Sequence, residues 1–392
     1  MTDLTGTVMS AVAALVFLAN LYAVLTLVAG AAKMRRLADI KPLRTGKRPK
    51  VSIIVPACNE ADTIEPALLS LLALDYDPLE VIVVNDRSTD RTTEVLEAVR
   101  AKHPRLIVRH IAELPEGWLG KTHALSRGAG LAGGEFLLFT DADIHFEPST
   151  LARAMTLMAD EQLDHLSLIF RHIGGGPLLN AMMIDAGAGL LLLFRPWKAG
   201  DPASGNFFGV GAFNLVRKSA YTAVNGHEPV KMHTIDDIML GKVIKRNGFR
   251  QECLLGLDCL RVHWYESPGT MIRGLMKNIF ALFNYRLVYV LAGLLLVLTV
   301  AVLPLWGVLL TSGPPRIFFG LAVTVRLFSA AAGARFAGVS LRTVPLTLLT
   351  PYVNIYMILR ATTQTLAARG IEWRGTRYPL EQLRKSMPIL WP

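Results

Sequence analysis

The sequence predicts an α/β domain with a mostly parallel sheet, carried between one apolar segment before it and two to three after it. Three observations predict this. Between residues 51 and 265, short β-branched runs alternate with stretches of helical spacing, the pattern of parallel strands joined by helices. The run Val8–Ala32 holds no charged residue and is long enough to cross about 30 Å of hydrocarbon as a helix. A second apolar zone begins at Leu287 and extends to about residue 360.

The first apolar run lacks a basic leading region and is too long for the apolar core of a cleaved signal peptide. Residues 33–50 follow it with eight Lys/Arg and one Asp, a net +7. The positive-inside rule therefore predicts an outer N-terminus and a cytoplasmic chain from residue 33 onward. Residues 360–392 add a net +4, so the rest of this +10 chain is close to neutral. Charge confined to segments that border apolar runs points to a membrane surface, with no nucleic-acid partner. The mean hydropathy of +0.39 agrees. Cys58, Cys253 and Cys259 show no paired spacing, which leaves no disulfide framework or zinc knuckle to expect.

Within the domain, Val51–Val55 reads as a buried strand ending at Pro56. Asp62–Leu74 has helical spacing, Glu80–Val84 is a second strand running into Asn85-Asp86, and Thr89–Lys102 is a helix. Leu106–Ile111 and Phe136–Phe139 are further strands. Gly128-Ala-Gly-Leu-Ala-Gly133 matches GxGxxG, but it closes the helical stretch Lys121–Leu131 instead of opening one, so it reads as a helix stop. Parallel sheets bind ligands at their C-terminal strand ends. Asn59, Glu60, Asp86 and Asp141-Ala142-Asp143 all fall there.

Asp141 and Asp143 at one strand end can point into a single cleft, where a divalent cation (Mg²⁺ or Mn²⁺) shared with diphosphate oxygens would relieve their repulsion. The other reading of the pair is a polar turn. Lys121 after Gly117-Trp-Leu-Gly120 can neutralise a diphosphate. Asp236-Asp237 opens the helical stretch Ile238–Lys245, either as favourable N-terminal charge or as a general base. His233 and His263 are candidates to complete a metal site, and Trp118 and Trp264 are candidates to stack on sugar. Pro268–Tyr285, with Arg273, Lys277 and Arg286 interleaved, fits an amphipathic interfacial helix. The apolar Leu178–Phe194, interrupted by Asp185, reads as a buried or interfacial helix. Arg326 weakens the span Ile317–Ala332, and the prolines of Leu341–Leu359 suggest a re-entrant or interfacial segment.

Val51-Ser-Ile-Ile-Val-Pro-Ala-Cys-Asn-Glu60, Val84-Asn-Asp-Arg-Ser-Thr-Asp90, the DAD triplet and Asp236-Asp237 resemble, in order and spacing, family-2 glycosyltransferases with the GT-A (Rossmann-like) fold. Gly211–Tyr221 with Asn225-Gly-His227 is similar to that family's acceptor-side strand and turn. Gly269–Asn278 and Trp373-Arg-Gly-Thr-Arg-Tyr378 are similar to its membrane-bound, lipid-modifying branch (ceramide glucosyltransferase-like, hopanoid-associated and carotenoid enzymes). The resemblance implies an inverting transfer of sugar from a nucleotide-sugar, a UDP-sugar ahead of a GDP-sugar. Pro56, Asn59, Glu60, Asp86, Lys121 and Asp141 would bind the donor, Asp143 with Asp141 the metal, and Asp237 or its neighbour Asp236 would be the catalytic base. QxxRW of processive synthases is absent, with Arg273-Gly-Leu-Met-Lys277 in its place, and Asn85-Asp86 stands where the family commonly has Asp-Asp.

The expected organisation is an anchor (1–32), a basic linker (33–50), a cytoplasmic GT-A domain (51–265), an interfacial helix (266–286), a transmembrane region (287–363) and a basic tail (364–392). It suits an integral protein of the plasma or inner membrane that moves one sugar to a lipid hydroxyl. Two other readings remain open at this point. One is transfer to a polyprenyl phosphate, which predicts tolerance of Asp237 loss. The other is a non-catalytic nucleotide-binding subunit of a transport or assembly system, although neither a Walker motif nor an inverted repeat is present.

Overall fold

The computed structural model describes residues 4–42, 48–386 and 388. Arg44 and Lys47 of the basic linker, and the last residues of the basic tail, lie outside the described residues. The chain forms two compact units: Met34–Ile173 with Phe194–Trp264 and Glu372–Pro392, and Met1–Lys33 with Gly174–Leu193 and Tyr265–Ile371.

The first unit is built on strands β1 (Val51–Ala57), β2 (Leu79–Asp86), β3 (Leu106–Ile111), β4 (Phe136–Phe139), β5 (His145–Phe146), β6 (His165–Ile169), β7 (Arg171–His172), β8 (Asn214–Arg217), β9 (Gln251–Leu255) and β10 (Leu260–Val262). Seven of them form one sheet in the order β3-β2-β1-β4-β8-β6-β9. β1 lies parallel to β2 and β4, β2 to β3, and β6 to β9. β8 alone is reversed, antiparallel to both β4 and β6. The strand order turns back between β1 and β4, which opens a crevice at their C-terminal ends.

Helices cover this sheet because their apolar residues recur at helical spacing. Ile64–Leu72 buries Ile64, Ala67, Leu68 and Leu71. Helix Gly120–Leu131 approaches β1 and β2 through Gly128, where an added Cβ would lie 2.4 Å from Ile54 Cγ2. That close approach explains the glycine and removes the dinucleotide reading. Arg35 and Arg36 of the basic linker bind the domain: Arg35 pairs with Glu161 and Glu252, each at 2.5 Å, and Arg36 pairs with Asp258. These two charges therefore serve docking, whereas the whole block was expected to face lipid.

In the second unit, helix Leu4–Lys33 packs against helix Pro314–Ala337 through Ala13, Val16, Phe319 and Ala322. A Cβ at Gly307 would meet Phe319 at 2.2 Å, the close packing that small residues permit between membrane helices. Leu15, Tyr22, Leu25, Leu291 and Leu310 stay exposed, as lipid-facing residues do. Among the described residues, four helices are long and apolar enough to cross a membrane: Leu4–Lys33, Pro177–Lys198, Leu287–Leu310 and Pro314–Ala337. The second of these exceeds the expectation of a buried or interfacial helix. Leu341–Leu359 instead divides into the 3₁₀ turn Leu341–Leu348 and the helix Thr350–Ala367. Arg326 does not stand alone in its span: it reaches Asp185 and the carbonyls of Ala301 and Thr347, and Asn354 donates to Asp185. Such pairing is what makes an intramembrane charge tolerable.

Candidate active site

The ends of β1 and β2 are cross-braced before any ligand is considered. The N–H groups of Asn59, Glu60 and Ala61 donate to Ser88 Oγ, Thr92 Oγ1 and Asp90 Oδ2. Asn59 returns the bond through Oδ1, which accepts from the N–H groups of Thr89 and Asp90 at 2.7 and 3.3 Å. Asn59 and Arg87 hold left-handed φ angles of 56° and 54°, a conformation that costs free energy in non-glycine residues and persists where neighbours fix it. Asn59 thus shapes the crevice wall, its carboxamide oxygen being taken by the loop. Pro56 lies in β1, one residue before that strand ends.

The two carboxylates at the ends of β1 and β2 already face guanidinium groups. Asp86 accepts from Arg87 Nε and Nη2 at 2.8 and 3.0 Å. Glu60 pairs with Arg374 and accepts from Thr63 Oγ1 at 3.2 Å. Burial raises the Glu60 carboxyl above its usual range, against the pull of Arg374. Gly120 sits where a Cβ would be 2.3 Å from Asp86 Oδ2, so the helix carrying Lys121 begins against that carboxylate.

Lys121 is the electrostatic hub. Its Nζ lies 2.7 Å from Asp141 Oδ1 and 3.6 Å from Asp236 Oδ1. Burial would discharge it, but Asp141, Asp236 and Asp237 together hold its pKa above the ordinary lysine value. Thr122 Oγ1 and the Leu119 N–H fix this helix start by donating to the Lys231 carbonyl at 2.7 and 2.9 Å.

The sequence-predicted residues Asp141 and Asp237 meet across Gly211. The Gly211 carbonyl accepts from the Asp141 N–H at 3.0 Å, and its own N–H donates to Asp237 Oδ2 at 2.6 Å. A Cβ there would lie 2.6 Å from Asp141 Oδ2 and 3.3 Å from Asp237 Oδ2. Gly211→Ala is therefore expected to displace Asp141 and lower turnover by about 10²-fold, the cost of a misplacement near 1 Å, while the melting temperature holds. Turnover and thermal unfolding measured on one preparation check it.

Asp236 and Asp237 open helix Asp236–Arg246 but differ in access: Asp236 is only 2% exposed, whereas Asp237 is partly open. Burial raises both carboxyls, that of Asp236 to about 7. Asp143 is raised to about 7 as well, by burial first and then by Asp141 and Glu60. No three His, Cys, Asp or Glu side chains converge as a metal cage among the described residues, so His233 and His263 complete none. Asp141 and Asp143 stand one residue apart in the turn that follows β4. Trp118 stacks edge-on with His123, and Trp264 with Phe170.

Sequence reading missed a buried network behind Asp237. Asn214 Nδ2 donates to the Asp237 carbonyl at 3.3 Å and Asn214 Oδ1 bonds His165. Gln251 bonds His165 at 2.6 Å, the Gly241 carbonyl and the Phe208 N–H. Burial lowers His165 to about 4, so it acts as a neutral strut. These residues come from β6, β8 and β9, and only a neutral polar residue within an apolar strand could have hinted at them. The turn Asn225-Gly-His227 is packed by Tyr221, whose hydroxyl bonds His227 Nδ1 at 2.7 Å.

Residues 52–224 match the family model described as glycosyl transferase family 2. The 4,4'-diaponeurosporenoate glycosyltransferase of Staphylococcus haemolyticus (strain JCSC1435) is 26% identical over 242 residues, 58% of this chain and 60% of that protein. An uncharacterized glycosyltransferase, YibD of Escherichia coli (strain K12), is 30% identical over 115 residues, 29% of this chain and 32% of that protein. The chain spans at most 60% of the length of these relatives. Among solved structures, the mannosyltransferase PcManGT from Pyrobaculum calidifontis, in complex with GDP-Man and Mn²⁺, has the same fold. The TM-score is 0.53 at 21% identity, over 92% of this chain and 99% of that one. With its sheet, its crevice and its ordered acidic motifs, this chain carries a glycosyl transferase family 2 domain on a GT-A fold.

Proposed function

We propose that this protein transfers a single sugar, with inversion, from a nucleotide-sugar to a lipid hydroxyl at the cytoplasmic face of the plasma or inner membrane. The observation that carries the reading is the meeting of Asp141 and Asp237 at Gly211, with Lys121 holding the charge of both. Four apolar helices and the diaponeurosporenoate named for the staphylococcal relatives support a lipid-like acceptor.

Glu60, Asp86 and Lys121 line the donor end. Asp237, oriented by the Gly211 N–H, takes the proton from the acceptor hydroxyl. The acceptor oxygen then bonds the anomeric carbon as the bond to the diphosphate oxygen breaks on the opposite face. A carboxyl raised by burial is a stronger base than one in water. Asp236, buried against Lys121, tunes the site and has no opening to an acceptor. Asp141 and Asp143 would hold a divalent cation, which supplies charge stabilisation to the leaving diphosphate. Asp143, a partly buried carboxyl pressed by Asp141 and Glu60, fits that use because a cation would relieve the repulsion.

Labelled UDP- and GDP-sugars incubated with host membranes test this. Label is expected in organic-extractable lipid, dependent on Mn²⁺ or Mg²⁺, and lost in Asp143→Asn. Label in lipid that is indifferent to both chelator and Asp143→Asn would overturn the metal assignment. Nucleotide binding with no transfer to any lipid would overturn the acceptor.

A further inference from the structure

The donor-side carboxylates Glu60 and Asp86 are held by guanidinium groups, and one of those groups comes from the far end of the chain. Arg374 pairs with Glu60 and donates from Nη1 to the Asn59 carbonyl at 3.2 Å. Two residues on, Thr376 Oγ1 accepts from Arg87 Nη1 at 3.1 Å, the same guanidinium that grips Asp86. Two further on, the buried Tyr378 accepts the Gly120 N–H at 3.1 Å, immediately before Lys121. One short segment thus touches the end of β1, the end of β2 and the start of the Lys121 helix.

We propose that Arg374–Tyr378 is a strap forming one wall of the nucleoside diphosphate pocket, with Arg374 as a direct ligand of the donor. This rests on the donor reading given above and deepens it. Three arguments favour a binding wall over a mere tie. The Arg374 side chain stays 43% exposed although it is paired, so its five-donor planar fork is partly open beside Asn59 and Glu60 at the end of β1. Guanidinium forks match phosphate oxygens bidentately, and a nucleoside diphosphate brings several negative charges to a crevice otherwise rich in carboxylates. Tyr378, accepting from Gly120, keeps its own proton to donate beside the lysine assigned to the diphosphate. Glu60 and Asp86 then act through Arg374 and Arg87: they aim the guanidinium groups and are positioning residues.

The test uses the full-length protein in detergent or nanodiscs with UDP and GDP as probes. Arg374→Ala is expected to weaken binding of the preferred nucleotide and raise the donor KM about ten-fold, the loss of one charge-assisted bond. Arg374→Lys should recover part of the affinity. Tyr378→Phe, which removes one oxygen and keeps the ring, should weaken binding in the same direction. Bound nucleotide should also slow tryptic cleavage after Arg374 and Arg377. Wild-type binding, with both variants within about two-fold of it and cleavage indifferent to nucleotide, overturns the strap alone. A wild type that binds neither UDP nor GDP overturns the donor reading and the strap with it.

Discussion

Asp237→Asn is expected to lower kcat by about 10²–10⁴-fold, the span attributed to a positioned general base, with donor affinity within about two-fold of wild type. The substitution keeps the shape of the side chain and an oxygen able to accept the Gly211 N–H, which the native carboxylate does at 2.6 Å. It removes only the capacity to take a proton. Nucleotide binding by calorimetry, measured beside single-turnover transfer, separates this from misfolding. Asp236→Asn should behave differently. Asp236 is buried and 3.6 Å from Lys121, so its loss perturbs the charge balance of the site and shifts both donor affinity and stability. Equal, purely catalytic losses in the two variants would mean that the carboxylates act as one unit. Full activity in Asp237→Asn would favour an acceptor that is already anionic, such as a polyprenyl phosphate.

Much of this arrangement was legible in the chain because parallel sheets put chemistry at strand ends. Glu60, Asp86 and Asp141-Ala142-Asp143 follow apolar runs, and those runs are β1, β2 and β4. The GxGxxG match fails by its order, and Gly128 lies where an added Cβ would meet Ile54. What stayed hidden depends on distance along the chain. β8 is antiparallel to β4 and β6, and no periodicity announces the direction of a strand. Gly211 matters through what its missing Cβ would strike, a fact that exists only after Asp141 and Asp237 are assembled. Tyr378 meets Gly120 across 258 residues, and Arg374 meets Asn59 across 315. Arg35 looked like one more juxtamembrane charge until Glu161 and Glu252 were placed beside it. Local composition reports which residues carry charge, while the fold decides which charges face one another.

Lys121→Met tests that last point most directly. Removing the ammonium leaves Asp141, Asp236 and Asp237 without the cation that offsets them, while the methionine keeps most of the volume. Breaking a largely buried ion pair by deleting one partner typically costs about 3–5 kcal/mol. The lower end applies here, because Asp141 is 38% exposed and water relieves part of its charge. The expected result is a loss of about 3 kcal/mol in unfolding free energy, seen as a lower melting temperature, together with loss of transfer. If Asp141 and Asp143 hold a divalent cation, Mn²⁺ should restore part of the melting temperature in Lys121→Met, because the ion supplies charge where the ammonium stood. It should do so without restoring turnover, since the lysine's own offset of the diphosphate charge is still missing. A variant as stable as wild type without added metal would mean that the three carboxyls are not ionised together in the resting protein, and the hub assigned to Lys121 would fail. A destabilised variant that Mn²⁺ leaves untouched would keep the hub and place the metal elsewhere.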